Sequence, residues 1–362
     1  MQAIAEIKGI AFPNKGAEML LVACLEQLKK HGFKTALEPY SPYEYKLPYP
    51  VFTKTRIHRF GVNILAPLSC LPVYARTRLG FVRPSEISLT LDASGFAYGT
   101  PWPDRIAKER LLGEKTNSPL ILLPQSFGEF TTNAQQNLVK KIMSRARYAF
   151  AREQEGAYNI EMATGIKPKV VPDITFAVST PRSPIERDII IAPNFQVRKR
   201  EGFQYVKNLI VTIEALLGSG RRVTILNHEG IKDAQICETI CSAIRETGGV
   251  VEYINPATGI EAKSVIGSCK FVIASRYHAL IAALSQGVPC IPLGWSYKYD
   301  AAMRLFDINY SDVSIVDAIN SEKYINHFKS QKYETRLHEI KDELIDMWGI
   351  IFKGSDGRGV DK

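Results

Sequence analysis

The sequence predicts an α/β fold made of two successive domains. Short apolar runs rich in β-branched residues alternate with longer amphipathic stretches, which is the pattern of buried parallel strands joined by helices. A Pro- and Ser-rich stretch at 179–186 separates two such alternations. At 362 residues the chain is long enough for two domains of ordinary size. We therefore place an N-terminal domain at 1–182 and a C-terminal domain at 183–362.

The first domain begins with a strand, a turn and a helix. Residues 3–11 predict the strand, 14–16 the turn, and 17–31 an amphipathic helix that ends at Gly32. Because parallel α/β sheets bind ligands at the carboxyl ends of their strands, Asn14 is a candidate binding residue. The turn carries neither G-x-G-x-x-G nor a Walker lysine loop, so it predicts neither NAD nor ATP binding.

Residues 42–79 interleave basic, Pro, Tyr and bulky apolar residues. One interpretation is an irregular insertion of two helices packed on the domain, with the apolar run 62–74 in the core. The other is a surface that contacts a membrane, because basic and apolar side chains together suit an anionic bilayer. The basic residues on which the second interpretation depends are Arg56, His58, Arg59, Arg76, Arg78 and Arg83.

Two further strands of the first domain end in small polar turns. Residues 86–91 and 120–123 are apolar runs, and each leads into polar residues followed by glycine. Such turns let backbone N–H groups approach a ligand closely. The candidate ligand-binding residues in these turns are Asp92, Ser94, Gln125 and Ser126.

The second domain repeats the alternation from residue 188. Its first strands are predicted at 189–192, 223–226 and 250–253, and its first helices at 204–217 and 233–247. Asn194 follows the first of these strands, and His228 and Glu229 follow the second, so all three are candidates at the carboxyl edge of the sheet. The charged, amphipathic residues 321–352 predict a C-terminal helix.

The stretch 271–300 predicts a complete strand–helix–strand unit with chemistry at its first junction. A buried strand is followed by Ser275, which we expect to cap the helix, and by Arg276 and His278 in or before its first turn. Free N–H groups at a helix start favour anions, and Arg276 adds a planar cation that suits phosphate or carboxylate. His278 adds a proton donor whose pKa is easily tuned. Tyr277 lies between them.

Composition restricts the class of protein. The formal net charge of +9 predicts anionic partners such as nucleic acid, acidic phospholipid or phosphorylated metabolites. The sequence lacks D-x-D, H-E-x-x-H, C-x-x-C and G-x-S-x-G, so no metal site, thiol redox centre or hydrolase triad is expected. Six scattered cysteines and an N-terminus without a basic signal-peptide region predict a cytoplasmic protein.

Several motifs together resemble the polysaccharide pyruvyl transferase family. Its C-terminal signature is matched by SRYHA at 275–279, GVP at 287–289 and Lys298. PQSFG at 124–128 and the Val-x-Pro-Asp-x-x-Phe run at 170–176 resemble the family as well. At the first turn, where the family often has Gly-Asn-x-Gly-Asp, this chain has Ala17 in place of the Asp.

The resemblance implies a GT-B-like fold, in which two Rossmann-like domains face a central cleft. It also implies transfer of pyruvate from phosphoenolpyruvate to two hydroxyls of a sugar in a cell-surface polysaccharide or its lipid-linked precursor. The products would be a cyclic ketal and phosphate, with phosphoenolpyruvate as a co-substrate and no cofactor. The N-terminal domain would bind the acceptor and the C-terminal domain the donor.

That reaction suggests roles for the candidates. Arg276 and the helix start suit a small trianion, and His278 suits protonation of the enol carbon. Lys298 suits the departing phosphate. The donor-binding set is Arg276, Tyr277, His278, Lys298 and Asn194. The acceptor-binding set is Asn14, Asp92, Ser94, Gln125, Ser126, His228 and Glu229. The base that accepts the hydroxyl proton stays open among Glu229, His228 and Asp92.

Two other functions stay open at this point. One is a GT-B glycosyltransferase that uses a nucleotide-sugar, because a cationic site serves a diphosphate as well. The other is a non-catalytic binder of anionic saccharide. No nucleic-acid partner is expected, since the basic residues form no recognisable nucleic-acid module. A peripheral contact with the inner face of the plasma membrane is a further expectation.

Overall fold

The computed structural model describes residues 2–40, 42–59, 62–104, 118–294 and 296–353. They form two compact units, the first containing residues 2–12, 20–174 and 343–353 and the second 13–19 and 175–342. The sequence-based boundary after residue 182 differs from this grouping. The start of the first helix groups with the second unit, and the last turns of the C-terminal helix group with the first.

The first unit is built on a parallel sheet with largely buried central strands and more exposed strands toward its edges. Its strands are β1 Ile4–Lys8, β2 Lys34–Leu37, β3 Val51–Lys54, β6 Phe81–Val82, β7 Ile87–Asp92, β8 Phe96–Tyr98, β9 Leu120–Phe127, β10 Ala146–Ala151 and β11 Lys169–Val170. The strand order is β11-β10-β9-β7-β1-β2-β3-β6, and β8 pairs with β9. β4 His58–Arg59 and β5 Val62–Asn63 form a separate antiparallel pair. Apolar runs without alternation are typical of such parallel sheets, which is why the sequence pattern located β1, β7 and the first part of β9.

The helices around this sheet start and end at recognisable signals. They are α1 Lys15–Lys30, α2 Tyr43–Lys46, α3 Ala66–Cys70, α4 Val73–Arg78, α5 Asn133–Arg145 and α6 Gln154–Thr164. The hydroxyl of Thr132 accepts a hydrogen bond from the backbone N–H of Gln135 at 3.2 Å and so caps α5. Gly165, with φ of 75°, ends α6 in the left-handed conformation that glycine adopts readily.

The insertion at 42–79 contains three short helices, α2, α3 and α4, where two were predicted, and the prediction of an apolar core at 62–74 is wrong for Val62, Ile64 and Tyr74. Val62, Ile64 and Tyr74 are 65%, 50% and 73% exposed. Two-residue strands and helices of five or six residues are too short to turn one continuous apolar face toward a core. The segment therefore presents apolar side chains at the surface.

The basic residues of this insertion divide into two groups. Arg76 is buried, pairs with Glu86, and donates to the carbonyl of Leu71 at 2.8 Å. Arg83 donates from Nε to the carbonyl of Ser69 at 2.5 Å. Arg78 is exposed and donates to the hydroxyl of Tyr74 at 2.9 Å. The side chains of His58 and Arg59 lie outside the described part of the chain.

The second unit is a five-stranded parallel sheet with the strand order of a Rossmann domain. Its strands are β12 Arg187–Ala192, β13 Val223–Leu226, β14 Glu252–Ile254, β15 Cys269–Ala274 and β16 Cys290–Pro292, in the spatial order β14-β13-β12-β15-β16. The connections reverse direction between β12 and β15. This reversal is the switch point at which such sheets bind ligands.

The helices of the second unit follow each strand in turn. They are α7 Phe195–Glu201, α8 Phe203–Gly218, α9 Ile231–Glu246, α10 Gly259–Gly267, α11 Tyr277–Leu284, α12 Tyr297–Arg304, α13 Ile315–Asn320, α14 Glu322–His327 and α15 Gln331–Lys353. The single helix expected at 321–352 is thus divided into α14 and α15. Ser321 and Ser330 lie at the starts of these helices, where their hydroxyls accept backbone hydrogen bonds.

Candidate active site

The candidate site lies at the switch point of the second unit. Ala192 and Ala274, the last residues of β12 and β15, are paired in register, so the two strands end at the same level. Asn194 follows the first strand, and Arg276 and His278 follow the second. The sequence therefore places an amide, a guanidinium and an imidazole at the edge of the sheet where ligands bind.

Hydrogen bonds of buried side chains tie these two strand ends together. Asn194 accepts from the backbone N–H of Gln196 at 2.7 Å, which caps α7, and donates to the carbonyl of Ser275 at 2.8 Å. The hydroxyl of Tyr205 donates to Ser275 Oγ at 2.7 Å, and that of Tyr299 to the Ser275 carbonyl at 2.8 Å. Asn194, predicted to bind the donor, holds the two loops in place in this structure.

Ser275 does not have the predicted capping role. Helix α11 begins at Tyr277, and its N-cap residue is Arg276, which makes no side-chain capping bond. The Ser275 hydroxyl accepts from Tyr205 instead, and burial raises the pKa of Tyr205 above its ordinary value, so the phenol keeps its proton. The N-cap side chain therefore accepts no hydrogen bond from the first backbone N–H groups of α11.

Two carboxylates hold Arg276. Its Nε and Nη2 donate to the two oxygens of Asp233 at 2.6 and 2.5 Å, and its Nη1 pairs with Glu229. Burial lowers the pKa of Arg276 to about 10, so the guanidinium is still charged at neutral pH. Burial raises the pKa of Asp233 to about 7, although the N–H of Phe195 opposes this shift. Arg276 therefore carries its charge, but that charge is already balanced.

Asp233 was missed by the sequence analysis. It lies in the first turn of α9, four residues after Glu229 in the sequence, and it is buried. An acidic residue in the first turn of a helix is common because it complements the helix dipole, so by itself it carries little information. Asp233 is recognised only in the structure, where it is the buried hydrogen-bond partner of Arg276.

The imidazole of His278 packs against the first turn of α1. A Cβ atom on Gly16 would overlap Nδ1 of His278 and lie 2.6 Å from its Cγ. On another side the ring of Tyr277 meets the imidazole edge to face, with ring centroids 5.4 Å apart. Glycine at position 16 is thus required by close approach, and it helps to fix where the imidazole points.

The segment 13–19 is anchored to the second unit at several points. Asn14 Oδ1 accepts from the backbone N–H groups of Gly16 at 2.9 Å and Ala17 at 3.1 Å, so it caps α1. Glu18 accepts from the N–H of Gly259 at 2.6 Å, and a Cβ on Gly259 would overlap the carbonyl oxygen of Lys15. Asn14, predicted to bind the acceptor, therefore has a structural role at the helix start.

Two more titratable groups complete the cluster. His228 is 2% exposed, and burial lowers its pKa well below the usual value, with the charges of Lys15, His278 and Arg276 acting in the same direction. Its imidazole is therefore neutral at pH 7. Lys15 is 5% exposed, and burial lowers its pKa too, partly opposed by Glu18 among other acidic neighbours.

Lys298 lies over aromatic rings. Its Nζ is 5.4 Å from the ring centroid of Tyr277 and 5.5 Å from that of Tyr299. Both distances are within the range of cation–π attraction. Among the predicted donor residues, Tyr277, His278 and Lys298 are thus held beside one another by ring contacts.

The acceptor candidates of the first unit are mostly engaged in internal contacts. Asp92 accepts from the N–H of Ser94 at 3.0 Å, from the Ser94 hydroxyl, and from the hydroxyl of Tyr98. Ser126 accepts from Arg152 at 2.5 Å, and Arg152 in turn donates to Asp173 at 2.7 Å. These contacts hold the ends of neighbouring strands together.

Gln125 differs from these residues. The strand predicted to stop at residue 123 continues to Phe127, because β8 pairs with it at Ser126 and Phe127. Gln125 is therefore a fully buried strand residue, where a turn residue was expected. Within the described ranges, neither its amide oxygen nor its amide nitrogen has a hydrogen-bond partner. A buried amide with two unsatisfied groups is costly, so it suits a site that a polar ligand or water completes.

The described residues contain neither a metal-binding cluster nor a helix that could span a membrane. Among the described residues, no group of three or more His, Cys, Asp and Glu side chains is placed to hold a metal ion. Over the same residues, no helix combines the length and the apolar character needed to span a bilayer.

Replacement of Gly16 by Ala tests the packing on His278. The added methyl must displace the imidazole, and overpacking of this kind typically costs about 1–3 kcal/mol. We expect a lower Tm for Gly16→Ala. The matched control is Gly218→Ala, where a Cβ meets no atom within 4 Å. Equal Tm values for the two variants would contradict the packing argument.

Solved structures show the same fold at low sequence identity. A glycosyltransferase from Rickettsia africae superposes with a TM-score of 0.58 at 10% identity and 99% coverage of both chains. A UDP-GlcNAc 2-epimerase from Neisseria meningitidis bound to UDP-GlcNAc gives 0.57 at 12% identity, covering 96% of this chain and 100% of that one. A putative UDP-N-acetylglucosamine 2-epimerase from Listeria monocytogenes gives 0.56 at 11% identity, covering 99% and 98%. These likenesses confirm the predicted α/β fold with two Rossmann-like domains of the GT-B kind.

The sequence comparison identifies the family. A search of curated proteins found no match. The model of the polysaccharide pyruvyl transferase family matches residues 14–297, which include the turn before α1, His228 and the strand–helix–strand unit with Arg276 and His278. The chain therefore belongs to the polysaccharide pyruvyl transferase family.

Proposed function

We propose that the protein transfers pyruvate from phosphoenolpyruvate to two hydroxyls of a sugar in a cell-surface polysaccharide or its lipid-linked precursor. The observation that carries this proposal is the family match over residues 14–297. The cluster at the switch point of the second unit supports it, because it combines imidazoles with cations at a helix start. The products are a cyclic pyruvate ketal and phosphate.

The proposed reaction begins with a proton transfer to the donor. His278 protonates C3 of phosphoenolpyruvate, which makes C2 electrophilic, and one sugar hydroxyl forms a bond to C2. The C2–O bond to phosphate then breaks, and the second hydroxyl closes the ketal. Of the two hydroxyl protons, one replaces the proton given by His278 and the other leaves with the phosphate. Lys298 stabilises the charge of that phosphate.

We assign Arg276 to the donor carboxylate. Binding there requires exchange of one partner, and Glu229 is the one that can leave, because its side chain is 32% exposed whereas that of Asp233 is fully buried. Glu229 would then be available as the base, alongside the neutral imidazole of His228. Asp92 is the weaker candidate for this role, since both of its carboxylate oxygens accept hydrogen bonds within the first unit. Gln125 is our candidate for contact with the acceptor.

A nucleotide-sugar is the second candidate donor. The Neisseria meningitidis epimerase, which shares the fold, is bound to UDP-GlcNAc. We expect phosphoenolpyruvate to raise the Tm and UDP-GlcNAc to leave it unchanged, since a ligand at 100 times its Kd stabilises by about 2.7 kcal/mol. Differential scanning fluorimetry measures this. Stabilisation by UDP-GlcNAc alone would favour the glycosyltransferase instead.

The role of His278 is tested by removal of the proton donor. His278→Gln keeps a polar side chain of similar size, so we expect donor binding by calorimetry to persist. Turnover, measured as phosphate release, should fall by roughly a hundred- to ten-thousand-fold. His338→Gln, at an exposed position, is the matched control. A near-normal rate for His278→Gln would assign the proton transfer to another group.

We also propose that the enzyme works in the cytoplasm and contacts the inner membrane through the insertion. The exposed side chains Val62, Tyr74 and Leu79, with Arg78, form the proposed contact. Binding to anionic vesicles should be weaker in high salt and weaker in Arg78→Glu, because each basic residue contributes about 1 kcal/mol near such a surface. Vesicle flotation measures this binding. The control is Lys169→Glu, which changes an exposed basic residue elsewhere in the first unit. Equal binding of both variants would show that Arg78 does not face the membrane.

A further inference from the structure

The charge balance around Arg276 raises the question of which group receives the phosphate of the donor. Phosphoenolpyruvate carries charge at both its carboxylate and its phosphate, and each needs a cation or several N–H donors. Arg276 faces two carboxylates, from Asp233 and Glu229. Even if Glu229 leaves, one positive charge has to serve Asp233 and the donor carboxylate together. Lys298, assigned above to the departing phosphate, is one further cation, and the several negative charges of the donor leave room for another at the switch point.

Lys15 is placed to be that cation. It is buried at the start of α1, next to Gly16, whose backbone touches the imidazole of His278. Its charge is one of those that lower the pKa of His228. Among the described residues, Lys15 Nζ has no hydrogen bond or ion pair. An ammonium group at the end of a largely buried side chain, without such a partner, favours a ligand anion beside it.

Other lysines of the second unit differ from Lys15 in this respect. Lys263 donates to the carbonyl of Thr175 at 2.9 Å, and Lys298 lies over two aromatic rings. Lys232 lies 5.0 Å from the ring centroid of Phe195. These ammonium groups have contacts that account for their positions.

His228 supplies an independent observation. Its Nε2 is buried and has no hydrogen-bond partner among the described residues. Buried polar atoms in folded proteins are nearly always hydrogen-bonded, so an unpartnered one points to a missing ligand or water. The three charges that act on this ring belong to Lys15, His278 and Arg276, which places the unpartnered nitrogen within the same cluster.

We propose that the ammonium group of Lys15 binds the phosphate of the donor, with the imidazole of His228 beside it. The assignment of phosphoenolpyruvate as the ligand rests on the function proposed above, whereas the phosphate site itself follows from the cluster. The ammonium has three N–H donors, which match three phosphate oxygens, and Arg276 then serves the carboxylate at the other end of the donor.

The charged neighbours of Lys15 define a signature of binding. Burial lowers the pKa of Lys15, while Glu18, Asp233, Glu261 and Cys237, from three helices, raise it by a smaller amount. A bound phosphate favours the ammonium form. As the pH rises from neutrality toward the ordinary lysine value of 10.5, binding should therefore be accompanied by uptake of a proton by Lys15.

Calorimetry on the full chain tests the site with three probes, which are phosphoenolpyruvate, inorganic phosphate and pyruvate. For Lys15→Met we expect the affinity for the two phosphate-containing probes to fall about tenfold or more, as for a lost hydrogen bond between charged groups. Pyruvate, which has only the carboxylate, should bind as it does to the unsubstituted protein. Lys199→Met, an exposed lysine of α7, is the matched control and should change none of the three affinities.

The number of protons taken up on binding gives a second readout. Titration of the unsubstituted protein with inorganic phosphate in buffers of different ionisation enthalpy should show proton uptake that grows with pH. Folded Lys15→Met should lose this uptake, and a purely structural role of Lys15 would not predict that loss. If Lys15→Met does not fold, Lys15→Gln replaces it.

Each outcome bears on one of the two proposals. Equal phosphate affinity in folded Lys15→Met, or binding without proton uptake at any pH, overturns the role of Lys15 and leaves the proposed reaction intact. Binding of inorganic phosphate that depends on Lys15, without binding of phosphoenolpyruvate, supports the site and overturns the proposed donor. Absence of binding of both phosphate-containing probes overturns the inference.

Discussion

The site of the second unit depends on one buried pair, Asp233 with Arg276. The carboxylate of Asp233 fixes the guanidinium by two hydrogen bonds and also accepts from the backbone at the start of α7. It thereby joins three elements, the loop after β15, helix α7 and helix α9. A pair that is buried and bidentate is costly to break from one side, because the remaining charge is left without a partner. The loop between β15 and α11, which directly precedes His278, is consequently held in place.

Much of the fold could be predicted from the sequence because its information is local. Unbroken apolar runs identified the buried strands, and glycine at helix ends marked where helices stop. The errors came where tertiary contacts override local signals. The strand β9 runs on to Phe127 because β8 pairs with it, and no local pattern at Gln125 indicates that pairing. The insertion was misjudged because apolar composition does not reveal that its helices are too short to bury a face.

The candidate site was predicted in outline but not in its charge arrangement. Arg276 and His278 follow a strand as expected, because the end of a strand and the start of a helix can be recognised from the local sequence. Their partners are distant in the chain. Asp233 and Lys15 come from other elements, and only the folded second unit brings them into one cluster. Asn14 and Asn194 were assigned to ligands because they lie at strand ends, and the structure shows in addition that each caps a helix.

The membership of residues 13–19 in the second unit has a consequence for the order of assembly. During synthesis the ribosome releases the turn with Lys15 and Gly16 long before it makes the strand that leads to His278. The early segment must therefore remain available until the later sheet has formed. A fragment that starts at residue 175 would carry the whole Rossmann sheet and yet lack Lys15 and the glycine against which the imidazole packs. A C-terminal fragment that is continuous in sequence therefore does not contain the complete second unit.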